Sequence, residues 1–245
     1  MNSSFDFQQL RRRVFAHPWE IDPFLTQSGY SFLKNPSGQL PYLYLAQYVR
    51  EFCRAWFERP PQSLEIFDWG CGKGQFTYLL RQADLKVTAA DVNPTESERI
   101  LGQPTLALEH PYLLPFEDHS FDVVLSVGVL EHVPQEVDSL REIYRILRPG
   151  GLFFCFNLPY HLSWVQWTAW TLGNKYHDRF YGRRHTRRLL SAQHFAVLDM
   201  WQRQLFPKNR VWPPAFRQFE ALDQWLVDHT PLRFFATSLE FVARR

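Results

Sequence analysis

The stretch Asp68-Trp69-Gly70-Cys71-Gly72-Lys73-Gly74 has the residue types and spacing of a ligand-binding turn. Glycines let a backbone turn sharply and approach a ligand, and the free N–H groups at the start of a following helix favour a negative group. Asp91 closes the next apolar run about 20 residues on, where a carboxylate can accept hydrogen bonds from both hydroxyls of a ribose. The third glycine comes one residue earlier than in the Gly-x-Gly-x-x-Gly fingerprint of nicotinamide dinucleotide sites, which argues against that cofactor. Farther along stand His132 and the group His177, Tyr181 and His185. An imidazole or a phenol can remove a proton if the reacting group is a hydroxyl. Arg179, Arg183 and Arg184 are interleaved with aromatics there, and arginine forks suit a carboxylate or a phosphate. Cys53, Cys71 and Cys155 have no Cys-x-x-Cys spacing, so neither a disulfide framework nor a zinc site is indicated, and no metal is expected.

These residues need a scaffold, and from residue 64 onward the pattern alternates between strand and helix, the rhythm of a parallel α/β sheet. Strands are expected at 64–69, 86–92, 105–108, 121–127 and 152–157, with a helix at 75–82. Residues 135–147 carry Val137, Leu140, Ile143, Tyr144 and Leu147 on one helical face, and Pro149-Gly150-Gly151 stops that helix. Upstream, a helix at 43–59 follows an irregular aromatic stretch at 17–42. Downstream, helices are expected at 163–172 and 186–191, and strands at 195–205 and 237–244. The sum is a five-stranded parallel core with an antiparallel finishing pair. Residues 1–60 read as a cap, and residues 61–245 as the main domain, with a substrate-covering insertion at about 160–190.

With 45% apolar and 21% charged residues, the 245-residue chain can bury a sizeable core. The apolar runs are strand-length and too short to cross a bilayer. Neither a secretion signal nor a disulfide pattern is visible, so a cytoplasmic location is expected. The net charge of +2 hides a basic segment at 171–217, in which ten Lys or Arg face only Asp178 and Asp199. Trp164, Trp167 and Trp170 repeat every third residue, a stripe that core packing explains more often than a substrate pocket does.

The blocks at 65–74, 90–92, 114–124, 130–133 and 147–151 together resemble the class I S-adenosylmethionine-dependent methyltransferases, in particular the small-molecule branch that includes quinone-biosynthesis enzymes. The resemblance spans residues 64–158 and implies a Rossmann-like, seven-stranded, mostly parallel sheet with an antiparallel last strand and helices on both faces. It implies S-adenosyl-L-methionine as cofactor. The Gly70, Cys71, Gly72 and Gly74 loop, with Asp68, would hold the methionine part, Asp91 and Val92 the ribose side, and Val127 and Gly128 the floor beneath the sulfonium. Aligned on Leu114-Pro115-Phe116, His110 falls where the family usually carries an acid for the adenine. Pro111 falls where a backbone N–H would serve the ring, and proline has none. Either Glu109 shifts by one to serve the adenine, or the ring is held by stacking on Tyr112. The expected acceptor is a small molecule, anionic or aromatic, met by Arg179, Arg183, Arg184 and Trp164 and methylated on oxygen or nitrogen. His132, His177, Tyr181 and His185 are the candidate bases.

Asn157-Leu158-Pro159-Tyr160 resembles the amine-holding tetrapeptide of adenine-N6 methyltransferases, but it follows the fifth strand where theirs follows the fourth. With no RNA-binding module visible, nucleic acid is not expected as substrate. A cofactor-binding regulator without transfer activity, and an enzyme acting on a lipid-like acceptor at a membrane surface, are the other readings.

Overall fold

A computed structural model describes residues 5–16, 20–28, 33–173, 177–206 and 215–245. Seven strands form one sheet: β1 (Ile66–Trp69), β2 (Val87–Asp91), β3 (Leu106–Ala107), β4 (Phe121–Val127), β5 (Leu147–Pro159), β6 (Ala196–Arg203) and β7 (Ser238–Arg244). Their order is β3-β2-β1-β4-β5-β7-β6. The first five pair in parallel, and β7 runs antiparallel to both β5 and β6. The finishing strands β6 and β7 thus form the expected antiparallel pair. Because β7 inserts between β5 and β6, it alone is reversed, and edge strand β6 keeps the direction of the core.

Period-2 alternation sends side chains to two apolar layers. Along β5, Leu152, Phe154 and Phe156 join the layer that also holds Leu45, Tyr48, Val49 and Phe52, while Phe153, Cys155 and Leu158 join the one with Leu140, Ile143 and Leu190. The first layer is covered by α1 (Phe7–Ala16), α3 (Pro36–Phe57) and α4 (Gln75–Gln82), and the second by α6 (Glu136–Ile146) and α8 (Arg183–Ala192). Two further helices fall where irregular chain was expected: α2 (Pro23–Ser28) and the opening of α3. Pro36 sits at the first turn of α3, where its missing N–H costs nothing, and Pro41 is accommodated inside the helix. Residues 17–19 and 29–32 of that stretch lie outside the described residues. Short α5 (Thr95–Leu101) and α9 (Phe216–His229) were not anticipated either.

The helix stop at Pro149-Gly150-Gly151 becomes a bulge within β5, which starts at Leu147 directly after α6. Asp122 pins it: Arg148 donates to Asp122 at 2.7 Å, the Glu65 N–H at 2.9 Å, and Arg59 bonds the other carboxylate oxygen. Helix α7 (Trp164–Thr171) departs furthest from expectation, because none of its residues is buried. Trp167 and Trp170 are about 60% exposed, at 60% and 61%, so the tryptophan stripe does not pack a core.

Phe154 lies edge-on to Phe52 at 5.1 Å, fully buried between α3 and the sheet. Phe154→Ala should destabilise the fold by about 3–5 kcal/mol in urea unfolding, while Trp170→Ala, on an exposed position, should stay within about 0.5 kcal/mol of wild type. Equal effects would contradict the layer assignment.

Candidate functional site

Parallel α/β sheets bind ligands at the carboxyl ends of their strands where the chain order reverses. Here that switch lies between β1 and β4, whose connections leave in opposite directions. The register Trp69↔Ala90 and Trp69↔Ser126 brings Gly70, Asp91 and Val127 to one edge of the sheet. The N–H groups of Gly70 and Cys71 both donate to the Ala90 carbonyl at 3.0 Å, folding the loop back over β2.

Gly70, Gly72 and Gly74 all have positive φ, at +70°, +55° and +76°. They serve different ends. A Cβ on Gly70 would lie 2.7 Å from Val129, and one on Gly74 about 3 Å from Ser97 and Leu101, so both allow close packing. A Cβ on Gly72 would meet nothing within 4 Å, so this backbone faces open space, as a ligand cradle requires. Its N–H donates to Asp91 Oδ2 at 2.8 Å, and the Asn93 N–H donates to Oδ1 at 2.9 Å. Two backbone donors thus orient the Asp91 carboxylate, and each oxygen keeps a lone pair for a further hydroxyl. Val92 beside it is 57% exposed.

Asp68 points into the opposite environment. It is buried and accepts a short hydrogen bond from the Thr77 hydroxyl of α4. Burial pushes its pKa up to about 6, against the pull of the Thr77 bond and with a further push from Asp91. Burial, Asp68 and Asp91 also raise the Cys71 thiol, which leaves it protonated and unreactive at neutral pH.

After β3 the chain is fixed from below. Buried Trp69 donates its indole N–H to the Pro111 carbonyl at 2.8 Å, and His110 stacks on Tyr112 with centroids 5.1 Å apart. One face of the Tyr112 ring thus meets His110. After β4, Gly128 (φ +66°) lets the chain turn with its Cα beside Glu131: a Cβ there would sit 3.6 Å from Glu131 Oε1.

Of the candidate bases, the structure brings two together. His132 and His177 stack at 5.6 Å beside the Glu131 carboxylate. Tyr181 lies apart from them in the protein interior. Its hydroxyl faces Glu136 at 2.8 Å and the Leu130 carbonyl at 3.2 Å, and burial with the Glu136 carboxylate holds the phenol well above its ordinary range. His185 is exposed on α8. The arginines are dispersed: Arg179 lies 3.8 Å from Glu136, Arg183 donates to Gln202 at 3.0 Å, and Arg184 is exposed. Half-burial and neighbouring Arg187 lower the pKa of Arg183. Trp164 donates to the Leu205 carbonyl at 2.7 Å. Lys175 and Tyr176, within the expected substrate-covering insertion, lie outside the described residues.

A cavity of about 440 Å³ is lined by Ser37, Tyr42 and Leu45 of α3, by Asn157, Val165 and Gln166, and by His177 and Arg203. The contribution of α3 could not be read from a sequence in which residues 37–45 and 157–203 are unrelated runs. Asn157 (φ +61°) accepts from buried Arg203 at 2.7 Å, and Arg203 pairs with Glu240 at 2.9 Å, so the Asn157 amide is engaged within the sheet. Glu131 stands in the Leu130-Glu131-His132-Val133 block, where nothing local in the sequence marks it as a site residue.

Residues 67–155 match the family described as methyltransferase domain. Among curated relatives it is 35% identical over 107 residues to a ubiquinone biosynthesis O-methyltransferase of Methylocella silvestris, covering 41% of this chain and 42% of that protein. It spans about half the length of the curated relatives it matches. Among solved structures, a putative sarcosine dimethylglycine methyltransferase from Galdieria sulphuraria superposes with a TM-score of 0.59 at 14% identity, over 98% of both chains. A Burkholderia thailandensis 1,6-didemethyltoxoflavin-N1-methyltransferase, solved with bound 1,6-didemethyltoxoflavin and S-adenosylhomocysteine, superposes at 0.53 with 20% identity, over 83% of this chain and 78% of that one. The fold is therefore that of the Rossmann-like methyltransferases.

The raised pKa of Asp68 has a signed consequence for stability. A carboxyl whose folded pKa lies above its ordinary 3.8 binds its proton more tightly when folded, so stability falls as pH rises from 3.8 to about 6 and is flat beyond. Urea unfolding over that range should show a loss of the order of 3 kcal/mol in wild type that is missing in Asp68→Asn. The same slope in both proteins would assign it to other groups.

Proposed function

We propose that this protein transfers a methyl group from S-adenosylmethionine to a small-molecule acceptor. The observation that carries the reading is the Gly72 backbone facing open space between oriented Asp91 and buried Asp68, at the switch point of a methyltransferase domain. The loop of Gly70, Cys71, Gly72 and Gly74 with Asp68 would hold the amino-acid end, Asp91 and Val92 the ribose, His110 and Tyr112 the base, and Val127 with Gly128 the reacting centre. When bound, the cofactor supplies an electrophilic methyl on a sulfonium.

What the chain contributes is position. As the acceptor's oxygen or nitrogen forms its bond to the methyl carbon, the carbon–sulfur bond breaks in line and sulfur keeps the electron pair. The acceptor's proton leaves to a base or to water. Holding the two centres at near-attack distance supplies several kcal/mol without any catalytic side chain. His132 and His177, beside Glu131, are the imidazoles that would take that proton. The cavity between α3, α7 and His177 is the acceptor site in this reading.

Thermal shift tests the cofactor. At a hundredfold excess over its dissociation constant, S-adenosylhomocysteine should stabilise the protein by about 2.7 kcal/mol, and NAD should do nothing. Asp91→Ala should weaken the affinity measured by calorimetry by ~1–3 kcal/mol. No shift with S-adenosylhomocysteine, or wild-type affinity in Asp91→Ala, would refute the assignment.

The exposed indoles favour a second reading of the acceptor, as a lipid-like molecule met at a membrane surface. Trp167, Trp170 and Leu172 stand 60%, 61% and 73% exposed, and Arg187 and Arg233 both lie near enough to Arg183 to lower its pKa. Indoles and arginines together suit an anionic bilayer interface. The double variant Trp167→Ala, Leu172→Ala should then lose sedimentation with phosphatidylglycerol vesicles that the wild type shows. A wild type that stays in the supernatant excludes this acceptor class.

A further inference from the structure

Glu131 is an anomaly that methyl transfer does not explain. Its side chain is 1% exposed, and neither carboxylate oxygen has a hydrogen-bond partner. An ionised carboxylate taken out of water without partners costs several kcal/mol, so such groups are paired or hold a cation. Two imidazoles face it. His177 Nδ1, itself buried and without a hydrogen bond, lies 3.6 Å from Glu131 Oε1, and His132 Nε2 lies 3.8 Å from the same oxygen. The donor atoms of all three residues lie within 4.8 Å of one another.

From these positions we infer that Glu131, His132 and His177 form a binding site for a first-row divalent cation such as Zn(II) or Mn(II). Donors arranged tetrahedrally about 2.1 Å from such an ion are roughly 3.4 Å apart, so the Glu131–imidazole separations of 3.6 and 3.8 Å need a slight contraction and the two imidazole nitrogens, within 4.8 Å of each other, a larger one. One carboxylate with two imidazoles is a donor set that suits zinc, manganese and iron rather than calcium or magnesium, and it leaves coordination positions open. His132 also shows the arrangement that holds a metal-bound imidazole in place: its Nδ1 faces the Asp178 carboxylate at 3.3 Å while Nε2 faces the site.

The location gives the site a use. Glu131 Oε1 lies 3.6 Å from where a Cβ on Gly128 would be, and His177 lines the cavity beside α3. A cation there would bind an acceptor's hydroxyl oxygen between cavity and cofactor and favour loss of its proton to solvent, leaving the oxygen lone pair to attack. This role rests on the methyltransferase reading, whereas cation binding does not. It assigns the acceptor to the oxygen nucleophiles.

The test uses the full chain, stripped with chelator, and isothermal titration with Zn(II) and with Mn(II), alongside a separate titration with S-adenosylhomocysteine. Saturable uptake of one ion per chain is expected. Glu131→Gln and His177→Ala should weaken it by about 100-fold or more, and Asp178→Asn by about 10–100-fold. His132→Ala replaces a half-exposed side chain, so its loss of metal binding guards against a Glu131 variant that fails to fold. Wild type that binds S-adenosylhomocysteine but neither ion would overturn the cation site and leave the methyltransferase reading standing. Undiminished uptake in all four variants would overturn it as well. One-to-one uptake lost in the variants, in a protein with no affinity for S-adenosylhomocysteine, would support the site while the methyltransferase reading fell.

Discussion

The parallel pairing of β1 with β4 is the constraint on which the rest of this structure depends. Ile66 to Trp69 align with Val123 to Ser126, and because the connections from these two strands run to opposite sides, nothing crosses the carboxyl end between them. Everything with chemical potential is hung on that opening. The glycine loop leaves from β1, Gly128 and Glu131 follow β4, and Asp91 closes β2 alongside. Buried strands of this kind tolerate no slip, since shifting the register by one would turn Phe67 and Val124 into the wrong layer.

The two aspartates near the opening show how environment divides one side-chain type into two behaviours. Asp91 is oriented by two backbone N–H groups at the rim. Asp68, behind the loop, is buried against Thr77 and holds its proton up to about pH 6. A rim carboxylate offers lone pairs to hydroxyls. A buried one is tuned to the charge of whatever approaches, because in a poorly solvated place a cation is worth far more to it than in water.

The segment after β5 is tied to the site by a few directional contacts as well as by Tyr160, Tyr181 and Leu190 in the second apolar layer. Tyr181 bonds the loop after β4 through Leu130 and Glu136, the N–H of Tyr181 donates to the Pro159 carbonyl at 2.8 Å, and Gly182 packs where a Cβ would lie 2.9 Å from the His161 ring. These contacts carry His177 to Glu131 and His132. Helix α7, by contrast, buries none of its residues, so its tryptophans contribute surface to the molecule rather than core.

The local signals in the sequence were strong wherever backbone chemistry is encoded by residue type. Three glycines that need positive φ, a carboxylate closing an apolar run, the amphipathic face of α6 and the strand periodicity of β1, β2, β4 and β5 are properties of neighbouring residues, and they sufficed for the seven-stranded α/β class and the position of the glycine loop. Tertiary structure decided what depends on residues far apart in the chain. Whether β6 or β7 sits at the edge depends on which of them β5 accepts as a neighbour, and α3 becomes part of a cavity wall only once it packs on β5. The tryptophan stripe was ambiguous in principle, because a period of three marks a helical face without saying what covers it. Glu131 carries no local sign of its isolation. Its two oxygens lack hydrogen-bond partners, and His177 comes within 3.6 Å of it from a segment that Tyr181 bonds to the loop after β4.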